Sequence, residues 1–319
     1  MGLPNGTARS AGRRTSRALG DTLFHIGSGT AAVGLLALLA LISVILVLWA
    51  EASILAFGPE FLWRNLWDPR TEIFGALPFV YGTLVTSALA LLFGVPISLG
   101  IAIFLSELSP TWLRVPLTFV VELLAAVPSV VYGLWAIFVL VPVMRRDVEP
   151  AIQGLLGWLP LFQGTPIGVD KFTAGVILAV MIIPTISAVS REAFLAVPQS
   201  QREAALSLGA TRWETTRTAV LTYARSGIFG AVILGLGRAV GETMAVTMTI
   251  GNRNVITTSL FDQGQTIASW IANNFSEAGP LEQSALIELG LVLLALTLLI
   301  NVLAHLLVRR VFRVAEGRP

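Results

Sequence analysis

The chain has 319 residues, of which 55% are apolar and only 13% charged, with a formal net charge of +2 and a mean hydropathy of +0.80. That balance excludes an ordinary soluble domain and points to a bundle of membrane-spanning helices, for which there is ample length at about 20 residues per span. The absence of cysteine excludes disulfides, thiol catalysis and thiolate metal sites.

The chain opens with a basic leader, residues 1–29, bearing Arg9, Arg13, Arg14 and Arg17. An uncharged run from Thr30 to Ala50 follows and predicts the first span, with an outer loop completing a unit over residues 30–76. Ala50-Glu51-Ala52 resembles a cleavage site, but the apolar run exceeds the roughly 7 to 15 residues of a signal peptide, so it reads as an uncleaved anchor. Four arginines ahead of a span serve cytoplasmic retention, and nucleic acid is not an expected partner. The gaps between charges predict five more spans. They run from Leu77 to Leu105, bent near Pro96; from Val115 to Val141; from Phe172 to Phe194, with Pro184 inside; from Ser226 to Ile250; and from Ser284 to Val308. The expected fold class is an all-α integral membrane protein of six transmembrane helices in contact with membrane lipid, with its core at residues 77–311 and a tail at 312–319. The outer segment with Trp158, Pro160 and Phe162 reads as a surface helix and turn.

Basic residues fall unevenly between alternate loops. The leader, Arg114, the segment from Arg191 to Arg225 and the tail hold fourteen of the 21, while the opposite loops hold Arg64, Arg70, Arg145, Arg146, Lys171 and Arg253. Lys and Arg near span ends favour the cytoplasm, so both termini and the segment around residues 196–225 are expected there. Within that segment Glu203, Ala204 and Ala205 favour helix, Gly209 supplies a break, and a second helical turn begins at Thr211. A helix-turn-helix carrying Arg202, Glu203, Arg212, Glu214 and Arg217 on the cytoplasmic surface suits docking on a soluble partner; an ordinary charged loop is the alternative.

Charge inside the membrane is costly, and each instance marks a functional candidate. Arg238 and Glu242 stand four residues apart in the fifth span, with Arg238 near mid-depth, and Glu122 lies in the third. Glu288 sits at the mouth of the sixth. An arginine at that depth offers a planar fork to an oxyanion, and a nearby acid would keep it paired when the substrate is absent. A carboxylate would also accept from the P–OH of hydrogen phosphate while repelling sulfate. The alternative is a structural Arg–Glu pair joining two spans. Gly230, Gly235, Gly237 and Gly241 favour close helix packing around this position, the last two spaced as G-x-x-x-G.

Glu203-Ala204-Ala205, three residues and Gly209 resemble the EAA loop of permease subunits in bacterial ABC importers. The Ile and the Leu-Pro pair that usually follow are missing, with Ala219, Leu221 and Thr222 in their places. No G-x-x-x-x-G-K-[ST] motif occurs, the sole lysine being Lys171 in GVDKF, so this chain carries no nucleotide cofactor, and ATP with Mg would bind a partner ATPase. GLGRAVGETMAVTMTIGN (Gly235 to Asn252), VELLAAVPSVVYGLW (Val121 to Trp135) and PFVYGTLVTS (Pro78 to Ser87) resemble the PstC family, the permease subunits of phosphate ABC importers. The resemblance covers about Pro78 to Arg310 and implies a MetI-like permease fold in the bacterial cytoplasmic membrane. It also implies a heterodimer with a PstA-like second permease, a PstB-like ATPase dimer, and a PstS-like phosphate-binding protein outside. By it, Arg238 and Glu242 match positions that function in the family, and Glu122 matches the glutamate of its E-L-L-A motif. Arg202, Glu203, Ala204, Ala205, Gly209 and Arg212 are the expected ATPase-coupling residues. A permease for sulfate or molybdate, or a secondary transporter or channel, remain the alternatives.

Overall fold

The computed structural model describes the backbone of residues 8–316 and the side chains of 24–306; the arginines of the leader and of the tail lie outside the described side chains, and residues 1–7 and 317–319 lie outside altogether. Apart from a single bridge between Asp68 and Ile73, the described residues are helical or irregular, so the fold is all-α. The first helix, α1 (Ala8–Trp49), contains an apolar stretch long enough to cross a membrane at Phe24–Trp49. A short α2 (Glu51–Phe57) lies at its end. Helix α3 (Leu77–Leu108) passes through Pro96 without a break and finishes in a wider π turn at Phe104–Leu108.

The third span differs from expectation. In place of one helix over Val115 to Val141 there are two, α4 (Thr111–Ala126) and α5 (Ser129–Leu156), parted at Val127 and Pro128. Val127 has ψ 129°, because the ring of the following proline crowds a helical conformation at the residue before it. The apolar run continues across the break, which is why a count of charges passes over it. At 16 residues α4 is too short to cross the hydrocarbon alone. Helix α5 extends to Leu156 and takes in Arg145, Arg146 and Asp147, all placed in a loop by the sequence.

Helix α6 (Lys171–Leu195) is the centre of the bundle, with 67% of its most apolar window buried. Asp170 caps it by accepting from Thr173 N at 2.8 Å. Ala90, Ala174, Leu178, Ile182, Ile186, Ala231 and Val246 form one buried cluster around it. Small residues bring the backbones together, since a Cβ on Gly94 would meet Ile182 at 2.9 Å and one on Gly175 would meet Leu89 at 2.5 Å. Beyond α6 come α7 (Gln199–Ser207) and α8 (Arg212–Tyr223), and α8 meets α9 (Arg225–Gly241) at a 71° bend. The fifth span is also divided at its far end, where α9 stops at Gly241 and α10 (Met244–Thr249) follows. The remaining helices are α11 (Ile267–Asn274) and α12 (Pro280–Glu316).

The irregular segments after α2, and between α10 and α11, are held by two polar and aromatic knots. Trp67 packs at 4.8 Å on Phe74 and donates to Glu282 at 2.9 Å, while Phe79 stacks on Trp270 at 5.0 Å. Helix α2 is tied to α12, with Ser53 donating to Glu288 and Ser284 to the Trp49 carbonyl. Glu288, expected at the mouth of the sixth span, is thus buried two turns inside α12, which begins earlier than expected at Pro280. Glu149, Asp170 and Lys171 are wholly buried. Glu149 accepts from Gly168 N, and Lys171 donates to the carbonyl and hydroxyl of Thr257 at 2.9 and 2.6 Å, fastening the segment that precedes α11. Burial, reinforced by the neighbouring Glu149 carboxylate, pushes Asp170 up to about 8.

Candidate functional site

Arg238 lies one turn before the end of α9 and lines a cavity of about 340 Å³ together with Thr185 of α6, Gly237 of α9 and Asn301 of α12. Its Nη1 donates to Thr185 Oγ1 at 2.9 Å. Among the described residues the ion pairs are Arg64–Glu60, Arg191–Glu192 and Arg202–Glu107, and Arg238 belongs to none of them. The cavity therefore presents a guanidinium, a hydroxyl and an amide. The sequence reading missed Thr185 and Asn301. Asn301 carried a usable signal, as the one amide in the apolar run from Ser284 to Val308, whereas a threonine in a membrane helix carries little.

The expected partners of Arg238 are elsewhere. Spacing of four residues places two side chains on one face only while the helix continues, and here it does not. Glu242 has extended backbone (φ −69°, ψ 130°), and its Oε1 accepts from Ala245 N at 3.3 Å, so the carboxylate caps the first turn of α10. Gly235, Gly237 and Gly241 make the end of α9 poor in helix formers, consistent with a stop at that point. Glu122 stands exposed on α4 and lines a different cavity of about 200 Å³ with Thr118, Ser187 and Arg191. That cavity lies further along α6, where Ser187, Val189 and Arg191 line it, beyond the Thr185 that Arg238 contacts. Arg191 is held by Glu192 at 2.7 Å. Nor do all the α9 glycines pack closely. A Cβ on Gly235 would meet Ile186 at 2.5 Å, but Gly230, Gly237 and Gly241 have nothing within 4 Å, and Gly237 instead leaves room beside Arg238.

The second candidate region forms the expected helix, turn and helix. Gly209 takes φ +86°, open to glycine and strained for other residues, and Thr211 with Glu214 makes a reciprocal capping box for α8. Glu203, Ala204, Gly209 and Arg212 are exposed and Ala205 half-buried. Arg202 departs from expectation, because its guanidinium turns inward to Glu107 on α3, at 2.9 Å, and is not on the outer surface. The outer surface carries apolar groups that the charge pattern did not flag, namely Leu206, Trp213 and, at 89% exposure, Leu208.

A family model described as "Binding-protein-dependent transport system inner membrane component" matches residues 94–313. The chain is 46% identical over 294 residues to the phosphate transport system permease protein PstC of Haemophilus influenzae, covering 91% of this chain and 93% of that one. It is 45% identical to PstC of Xylella fastidiosa, with 98% and 97% covered, and 35% identical to a probable PstC of Methanocaldococcus jannaschii, with 82% and 85% covered. Among solved structures, an inward-facing form of the MetNI methionine ABC transporter aligns with a TM-score of 0.56 at 19% identity, over 77% of this chain and 99% of that one. A bacterial ABC transporter that imports alginate aligns at 0.53 and 19%, over 73% and 79%. At those identities the likeness speaks for the fold, which is that of the MetI-like ABC permeases. The chain is accordingly a multi-pass membrane transport subunit that belongs to the binding-protein-dependent inner membrane components and, within them, to the PstC permease proteins.

Proposed function

We propose that this chain is one permease half of an ATP-driven importer that carries inorganic phosphate across the bacterial cytoplasmic membrane by alternating access. The observation that carries the reading is Arg238, a guanidinium that opens onto a cavity and is paired with no carboxylate. In a medium of low dielectric, an unneutralised cation lowers the cost of admitting an anion, and Thr185 and Asn301 supply neutral groups that can donate to P–O and accept from P–OH. The names of the relatives supply phosphate as the anion. The acid expected to reject sulfate is absent from this cavity, so discrimination between the two oxyanions falls mainly to the protein that delivers them.

In this reading the partners are a PstA-like second permease completing the passage, a PstB-like ATPase dimer holding ATP and Mg, and a PstS-like binding protein outside. Both termini and α7 lie on the cytoplasmic side in this reading. Leu206, Leu208 and Trp213, with Glu203 and Arg212 at their edge, are the groups offered to the ATPase. The apolar members provide the contact and the charged ones its register. Phosphate uptake by the reconstituted complex tests the reading. It should require ATP and be lost in Arg238→Gln with the four components still associated; unchanged uptake in that variant would defeat the role of Arg238. Sulfate that competes equally with phosphate in the intact system would defeat the assignment of substrate.

A further inference from the structure

Neighbouring residues in α7 face opposite ways. Glu203 is exposed, while Arg202 has its side chain only 15% exposed against a Glu107 side chain at 13%. The guanidinium engages the carboxylate through two nitrogens, Nη2 to Oε1 at 2.9 Å and Nε to Oε2 at 3.3 Å. Its remaining reach goes to the end of α6, with Nη2 donating to the Phe194 carbonyl at 2.8 Å and Nη1 to the Val197 carbonyl. These carbonyls belong to the last turn of a helix and the residue before Pro198; that of Phe194 also accepts from Val197 N at 3.2 Å, so Arg202 reinforces a helix end that the backbone already closes in part. One side chain thus joins the amphipathic α7 to the cytoplasmic ends of α3 and α6, which pack on each other to form the core of the bundle.

The rest of α7 is lightly attached. It contains no fully buried residue, and it rests on the turn Thr216–Val220 that follows it. A polar cavity of about 460 Å³, lined also by Ser106, Arg114 and Gln199, surrounds the ion pair. Such a pair adds modest stability, but its two-pronged geometry fixes direction, which is what a transmitted displacement requires. Helix α6 also carries Thr185, the hydrogen-bond partner of Arg238.

Building on the importer reading above, we infer that Arg202 is a positioning residue that converts movement of α7 into movement of α3 and α6, so that ATPase docking and anion passage can be separated at this side chain. The test uses the complete complex in proteoliposomes, with three readouts: ATPase retained on purification, ATP hydrolysed, and phosphate taken up per ATP. Arg202→Ala should retain the ATPase and its hydrolysis while phosphate per ATP falls by about tenfold. A second variant restores the link by other means. The chain has no cysteine, so Arg202→Cys with Glu107→Cys introduces its only two thiols, and a short bifunctional thiol reagent can join them. Joining should raise phosphate per ATP, and the unjoined pair should behave like Arg202→Ala. Three results would overturn the inference: unchanged uptake per ATP in Arg202→Ala, uptake that falls only in step with lost ATPase, or a joined pair that stays as low as the unjoined one. A wild-type complex without ATP-dependent uptake would overturn the importer reading and this inference with it, whereas wild-type uptake alongside an unaffected Arg202→Ala would overturn this inference alone.

Discussion

Two ionisable groups with different surroundings, Arg238 half-buried beside a cavity and Asp170 wholly buried, make different predictions. Arg238 offers a fork on a cavity, and Lys would keep the charge but not the fork. Losing a hydrogen bond to a charged group costs about 1.5–3 kcal/mol, so Arg238→Lys should slow phosphate uptake roughly ten- to hundredfold with assembly unchanged. Radiolabelled uptake would check this, and a wild-type rate would show that charge alone suffices. Asp170 is sealed at the head of α6, with a value near 8 against an ordinary 3.8. The folded chain therefore holds a proton that the unfolded chain releases, and the stability owed to it is whole below about pH 4 and lost as pH rises through about 8. Asp170→Asn cannot ionise yet can still accept from Thr173. Its thermal midpoint in detergent should match wild type near pH 4 and exceed it increasingly toward about pH 9. A constant gap across that range would contradict the assignment. Arg238 was legible in the sequence because a charge at mid-span has so few innocent explanations. Its pairing with Glu242 was not, since the spacing argument presumes a helix that continues, and the backbone turns at Glu242 itself.

Among the elements, α1, α3, α6 and α12 were readable from gaps between charges, because lipid tolerates long apolar helices and little else. The broken spans were not. Proline was an ambiguous signal, since Pro96, Pro116 and Pro184 sit inside helices while Pro128 parts two of them. Which outcome prevails depends on whether neighbouring helices hold the backbone together, and that information is tertiary. The turn at Gly209 was legible for the opposite reason, being local chemistry: a glycine in the left-handed region followed by a threonine cap. No atom lies within 4 Å of where its Cβ would be, so a substitution there meets only backbone strain. Gly209→Ala should cost about 1–2 kcal/mol and loosen α7 from α8, lowering the ATPase retained on purification, with Gly209→Asn milder. Equal retention in all three proteins would show that the turn is not held in this form.

For the molecule as a whole, composition and the EAA-like segment carried the class, and the similarity to PstC proteins carried the family. The route across the membrane was out of reach of both, because Arg238 and Glu122 line two separate cavities along α6 and the order of residues does not tell how such cavities join. Deleting Glu203 to Gly209 should release the ATPase while leaving the second permease attached, as no residue of the segment is fully buried in the bundle. Loss of both partners would mean that the segment supports the permease pair as well. One further property concerns α1. None of its most apolar stretch is buried by the rest of the chain, and Gly27, Gly29 and Gly34 have open space where a side chain would go. Hydrocarbon tails respond to oiliness alone and are blind to the order of residues, while a protein surface is sensitive to shape. The sequence of that helix is therefore answerable to its surroundings in the assembled transporter, and shuffling it at constant hydropathy would tell a greasy solvent from a fitted neighbour.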